Sequence, residues 1–160
     1  MEILLAYYSK TGNTEKIAKK IQKALEPIGK VELFRIEMAN EYGNRLLHLN
    51  PRITFDCLFR RKPEIKATKN LEKYDALIIG SPIWYFTFAP PVNSFIDKLE
   101  KAKGKKAVIF VSSGMGREKF TKGLQEKLLG KGVKIVKSIS VKLDQISQKA
   151  LQEICDALKS

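Results

Sequence analysis

Residues 3–21 read ILLAYYSKTGNTEKIAKKI. An apolar run ends at Tyr8, six small or polar residues follow, and a helical pattern begins near Thr14. The first part has the length and composition of a buried strand. In 14–26, Ile17, Ala18, Ile21, Ala24 and Leu25 recur at helical spacing, and lysines fill the opposite face. Between strand and helix, Ser9, Thr11 and Thr14 supply hydroxyls and Asn13 an amide, while Gly12 lets the backbone close around a ligand. The helix start adds free N–H groups and the positive end of its dipole. These are the parts of an anion cradle without a basic side chain. Simple capping by Thr11 or Asn13 is the alternative, but one cap does not need four polar side chains in six residues. The triphosphate pattern GxxxxGKS/T is absent, and so is GxGxxG.

Outward from this turn, strand-like and helix-like segments alternate. Residues 2–8, 31–37, 75–80, 105–111 and 133–139 are short, apolar and rich in Ile, Val, Leu, Phe or Tyr. Helical spacing recurs in 91–101 (started by Pro90 and Pro91), in 118–129, and in 144–158 with Asp144 as the expected N-cap. This order predicts an α/β fold: a doubly wound, five-stranded parallel sheet, strand order 2-1-3-4-5, with helices on both faces. One domain over 1–160 is expected, interrupted by an irregular, aromatic and basic insertion at about 41–70. A short helix is expected near 40–49, and Pro51 and Pro63 bracket RITFDCLFRRK. Ligands in such sheets sit beyond the carboxyl ends of the strands. Loops 9–14, 81–90 and 112–117 follow the first, third and fourth strands, so all three are expected to converge on one site.

The chain has 160 residues, 44% of them apolar, which suits a globular domain with a proper core. No apolar run is long enough to span a bilayer, so no membrane insertion is expected. The N-terminus lacks a basic n-region and a cleavage-like site. Cys57 and Cys155 lie far apart and form no CxxC pair, so a cytoplasmic setting is expected. No cluster has metal-ligand spacing, and no metal is expected. The net charge is +13, and 101–142 carries twelve basic residues against two acidic ones. Such a field attracts acidic partners, nucleic acid or anionic membrane; a solvated surface without a partner is the alternative.

SKTGNT, taken with the two later loops, resembles the flavodoxin family. It matches the family pattern [ST]-x-T-G-x-T at every defined position, directly after the first strand. DALIIGSPIWYFTFAPPVNSFIDKL (75–99) is similar to the family's third strand, flavin loop and following helix. KKAVIFVSSGMG (105–116) is similar to its fourth strand and second flavin loop. The resemblance covers nearly the whole chain outside 41–70. It implies a flavodoxin-like fold, non-covalently bound FMN and electron transfer. Ser9, Thr11, Gly12, Asn13, Thr14 and the backbone of Lys10 would hold the phosphate. Ser81, Pro82, Ile83, Trp84, Tyr85 and Phe86 would run along the ring, and Ser112, Ser113, Gly114 and Gly116 would border its other side. The residues agree with this. A flat ring with a polar edge needs an aromatic wall and backbone donors, which WYF and SSGMG provide. Three successive aromatics cannot all enter one core, so at least one is expected at the surface.

Three departures from the family stand out. Many flavodoxins place a glycine after the loop aromatic, where a peptide flip stabilises the one-electron-reduced flavin. Tyr85 occupies that place, and a non-glycine in a left-handed conformation costs roughly 1 kcal/mol or more. Little stabilisation of that state is therefore expected. Electron-transfer flavodoxins are usually acidic, whereas this chain is basic, so its redox partner proteins are expected to be acidic, or its acceptors to be small anionic or neutral molecules. Arg117 and Lys119 beside the third loop suit either reduced flavin or a pyridine-nucleotide phosphate, or are surface charge. An electron carrier with no catalytic residue of its own is the leading reading. An NAD(P)H-dependent quinone or FMN reductase is the alternative on this fold. A flavin-free nucleic-acid module is disfavoured, and a phospho-receiver is excluded because AYYSKT has no acidic residue. His48 is expected to pack or cap. Cys57 is expected to be structural rather than reactive.

Overall fold

The apolar runs pair side by side. In the computed structural model, which describes residues 1–43 and 46–160, β1 (Glu2–Tyr7), β2 (Lys30–Arg35), β3 (Ala76–Trp84), β5 (Lys106–Ser113) and β6 (Lys134–Lys142) form a parallel sheet in the order β2-β1-β3-β5-β6. This is the expected 2-1-3-4-5 order. A two-residue strand, β4 (Thr87–Phe88), pairs antiparallel with the end of β3. The strands β3 and β5 run further than the apolar pattern suggested, into the two later loops.

Alternation along each strand sets the two layers. Ile3, Leu5 and Tyr7 of β1, with Ile78, Val108 and Phe110, pack against α1 (Asn13–Leu25) and α5 (Gln148–Lys159). Leu4, Ala6 and Tyr8, with Leu77, Ile79, Ile109 and Val111, pack against α3 (Pro90–Asp97), α4 (Lys122–Leu129) and α2 (Pro51–Leu58). Gly80 is required by close packing, since a Cβ there would overlap the Phe110 ring. Both cysteines are buried and unpaired.

Several local expectations change. The insertion contains a true helix, α2, with Pro51 in its first turn; the Asn50 side chain accepts from the Arg52 and Ile53 backbone N–H groups. The helix expected near 40–49 falls partly on residues 44 and 45, outside the described residues. Beyond them there is one 3₁₀ turn, Leu47–Leu49, and His48 within it is exposed rather than packed. The 118–129 segment starts as a 3₁₀ turn, Glu118–Thr121, before α4. The last helix begins at Gln148, capped by Ser147, whose hydroxyl accepts from Ala150 N–H at 3.1 Å. Asp144 is not its cap but pairs with Lys16 at 3.2 Å.

Candidate functional site

The order of the strands places the turn after β1 beside the ends of β3 and β5. Tyr7 pairs with Gly80, and Pro82 with Ser112. One cavity of about 130 Å³ forms there, lined by Lys10, Thr11, Asn13 and Thr14 from the first loop. Pro82, Ile83 and Trp84 line it from the second loop, and Ser112, Ser113 and Gly114 from the third. A second hollow of about 290 Å³ shares Ile83, Ser113 and Gly114 with it and extends past Tyr85, Phe86 and Met115.

The first loop is held open as a cradle. Gly12 is left-handed, with φ 95, and its N–H is held by Ser9 Oγ at 3.0 Å. A Cβ on Gly12 would meet nothing within 4 Å, so the position is open rather than packed. Helix α1 starts there with no side-chain cap, so neither Thr11 nor Asn13 spends its polar group on the helix end. The first residues of α1, Asn13 and Thr14, border the cavity. Arg35 braces the loop from behind: it donates to Ser9 O at 3.1 Å and to Glu15 at 2.9 Å. The Lys10 ammonium is drawn away to Gly43 O at 2.9 Å. Lys10 therefore brings its backbone rather than its charge.

The second loop is a tight hairpin. Trp84 pairs with Thr87, leaving Tyr85 and Phe86 as the two-residue turn, with φ 47 and 65. Two left-handed residues in succession make a type I′ turn, a position that favours Asn-Gly. The left-handed strain foreseen for Tyr85 is thus already present in this conformation and is shared with Phe86. The aromatics separate as their crowding required. Trp84 is buried, edge-on to Tyr8 (5.6 Å) and Tyr42 (5.7 Å), and lines the cavity from the core side. Tyr85 and Phe86 are exposed, and the Thr54 hydroxyl donates to the Tyr85 oxygen at 3.1 Å. Burial, reinforced by Glu41, raises the Tyr8 phenol far above its usual range; burial and the Asp56 hydrogen bond do the same for Tyr42. Both rings are therefore neutral walls.

Some of the expected residues support the site from outside the cavity. Ser81 is fully buried; its Oγ accepts from Ala89 N–H at 2.9 Å and donates to Pro82 O at 2.9 Å, closing the hairpin. Ser9 is also buried. Gly116 is left-handed, packs on Lys142 and donates to Ser113 Oγ at 2.8 Å. Residues missed from the sequence are Leu143, Met115 and Phe120. Leu143 lines the cavity with φ 53, pinned by Ser112 Oγ donating to its carbonyl at 2.6 Å. Its position depends on where β6 ends, and no local pattern reveals that. Met115 had a signal, an exposed apolar residue between Gly114 and Gly116.

Among the described residues no three His, Cys, Asp or Glu side chains are placed to hold a metal, and no helix is long and apolar enough to cross a membrane. Burial, then the Asp56 charge, pushes the Cys57 thiol up to about 11, so it is not a thiolate at neutral pH.

An open parallel sheet with a glycine turn at a helix N-terminus and an aromatic-walled cavity at its carboxyl edge defines a doubly wound α/β protein, a class whose ligands sit beyond the strand ends. A family model described as Flavodoxin matches residues 2–155, and the chain belongs to that family. The solved structures agree in fold. A candidate flavoprotein of Bacteroides eggerthii is 27% identical, with a TM-score of 0.81 over 99% of this chain and 98% of that one. A Lactobacillus acidophilus flavoprotein in complex with FMN is 24% identical, with a TM-score of 0.70 over 86% and 91%. Among curated proteins, an Archaeoglobus fulgidus NAD(P)H dehydrogenase (quinone) is 27% identical over 119 residues. These are 71% of this chain and 62% of that protein, so the match spans less than two thirds of the relative.

Proposed function

We propose that the chain binds FMN at the junction of the three loops and works as an electron carrier between redox partners. The observation that supports this most is the convergence of the uncapped α1 N-terminus, the Trp84 wall and the Ser112–Gly114 backbone on one cavity. FMN supplies the redox chemistry when bound. In this reading Thr11, Asn13, Thr14 and the α1 N–H groups hold the phosphate. Pro82, Ile83 and Trp84 lie along the ring, and Ser113 and Gly114 face it from the other side. Tyr85 and Phe86 limit water access at the outer edge. The test is the absorbance spectrum of the purified protein after incubation with FMN and desalting. Retained bands of a bound oxidised flavin support the reading, and a colourless protein that quenches no FMN fluorescence overturns it.

A second reading, an NAD(P)H-dependent quinone reductase, draws support from the naming of the Archaeoglobus relative and from Arg117 and Lys119 beside the third loop, which make no ion pair among the described residues. Adding NADPH and a quinone to the FMN-loaded protein separates the two. Turnover without any partner protein favours the enzyme; none favours the carrier. In either case the +13 charge favours acidic partners or substrates.

A further inference from the structure

A further hollow lies close to the ring cavity. A cavity of about 300 Å³ lies under the carboxyl end of α2, between the β3–β4 hairpin and α4. Its walls include Cys57, Thr87, Phe88 and Pro90, and its mouth carries Arg60 and Arg61. It continues through Thr87, Phe88 and Gly123 into a groove past Phe86 and Phe120, whose rings lie 6.1 Å apart. Those two residues also line the hollow beside Gly114. Phe86 and Phe120 therefore stand between the groove and the ring site and line both.

The charge at its mouth is unbalanced. Lys62 and Lys127 both pair with Asp97, and Asp56 accepts from Tyr42 at 2.8 Å with Arg52 at 4.0 Å. Among the described residues, Arg60 and Arg61 make no ion pair, and neither do Lys119 and Lys122 along the groove. Glu126 and the buried Asp56 are the acids that line the cavity among the described residues. The backbone is shaped to hold the arginines there. Arg60 is left-handed, with φ 48, just past the end of α2, where glycine is normally preferred. Asn93, buried in the cavity wall, donates to the Arg60 carbonyl at 3.1 Å, and Arg61 N–H donates to Asp56 O at 2.8 Å. With the Arg60 N–H donating to Cys57 O at 3.3 Å, these bonds end α2 and fix the turn that carries both arginines.

We propose that this cavity binds the planar aromatic body of a small anion, with Arg60 and Arg61 holding its carboxylate, sulfonate or phosphate. The volume suits a bicyclic ring, the walls are apolar and aromatic, and a guanidinium fork matches a planar oxyanion. Binding at this site does not require FMN; a role for the anion in electron exchange rests on the flavin reading.

The test uses 2-naphthoate and 2-naphthalenemethanol, which share a ring system and differ in charge. Calorimetric titration of the FMN-loaded protein is expected to show the naphthoate binding about tenfold more tightly. The R60A/R61A double variant is expected to lose about that tenfold for naphthoate and nothing for the alcohol. Gly123→Trp, which fills the cavity from α4 where Gly123 faces only the Phe88 ring, is expected to abolish both. Equal affinity for the two probes, or naphthoate binding unchanged in either variant, overturns the proposal. Titrating the FMN-free protein in parallel separates the two readings. A chain that takes naphthoate but never FMN loses only the flavin reading, and one that takes FMN but not naphthoate loses only this one.

Discussion

The turn after β1 and the hairpin after β3 border the same cavity. In the turn, Ser9 and Thr14 are buried, Gly12 takes the left-handed position, and every bend is one its residue adopts without strain. In the hairpin, Tyr85 and Phe86 are exposed, and both occupy left-handed positions that suit asparagine and glycine. In the flavin reading the first is a rigid holder of the phosphate, a group that does not react. The second keeps bulky aromatics at a strained tip where a smaller pair would fold more easily. In the flavin reading, strain kept beside the cavity fits a hairpin shaped for contact with the ring, a substrate or a partner.

The largest effects should come from the holder. Thr11→Ala and Thr14→Val each remove a hydroxyl offered to a phosphate. A hydrogen bond to a charged group is worth about 1.5–3 kcal/mol, so each change should weaken FMN binding roughly tenfold to a hundredfold. Flavin fluorescence quenching reads this directly. Thermal stability without FMN should stay nearly constant for Thr14→Val, which keeps the buried shape. If affinity holds in both variants, the turn is only a helix start and the contrast with the hairpin loses its meaning.

Next is the closure of the hairpin. Ser81→Ala leaves the buried Ala89 N–H without its acceptor, which should cost about 1–3 kcal/mol. A lower denaturant midpoint with an unchanged slope is expected. A stable Ser81→Ala variant would mean that β4 is not held by this bond.

A smaller effect, of opposite sign, should follow from relaxing the tip. Changing Tyr85→Asn together with Phe86→Gly supplies the residues that a type I′ turn prefers. Two left-handed non-glycine residues cost roughly 1–2 kcal/mol each, partly offset by the lost Thr54 and Phe120 contacts. A net gain of about 1 kcal/mol in stability is expected, together with weaker FMN binding. A gain in both would show that the aromatics serve no ligand.

The same contrast explains what the sequence could reveal. The holder was legible because its chemistry is local: hydroxyls, an amide and a glycine lie within six residues, directly between a strand and a helix. The parallel sheet followed from the strand–helix alternation, and the order 2-1-3-4-5 was the one that brought the three loops together. The hairpin was harder to read because β3 continues through Ser81, Pro82 and Ile83, residues that look like loop but pair with β5 and β4. Trp84 could be named but not placed, since its burial depends on Tyr42 arriving from the insertion. Helix α2 was missed because its outward face carries Phe55, Leu58 and Phe59, all exposed, which blurs the helical period. Arg60 and Leu143 gave no local sign, because neither is the glycine or asparagine that a left-handed position favours; bonds to Cys57 and Asp56 at the helix end set the turn at Arg60, and Ser112 holds the Leu143 carbonyl.

The smallest effect should lie at the opposite edge of the sheet and should leave both loops alone. Glu32 on β2 accepts from Lys69 at 2.5 Å, Tyr74 at 2.6 Å and Lys73 at 2.9 Å, tying the edge strand to the segment before β3. These bonds, Lys69 first, hold its carboxyl down at about 2. A carboxyl with a lowered folded pKa stabilises the fold above its unfolded value, about 4.3, and that contribution fades as pH falls through about 2. Glu32→Gln should therefore lower the melting temperature at neutral pH, and the gap to the parent protein should close on acidification. Solvent screening of this partly exposed cluster keeps the effect modest. FMN affinity at neutral pH should not change, because Glu32 lies away from the carboxyl ends of β1, β3 and β5. A gap that persists undiminished at pH 2 would mean that Glu32 acts through shape rather than charge. A loss of FMN binding would mean that the sheet edge and the holder are coupled, and that the turn after β1 is less self-contained than its bonding suggests.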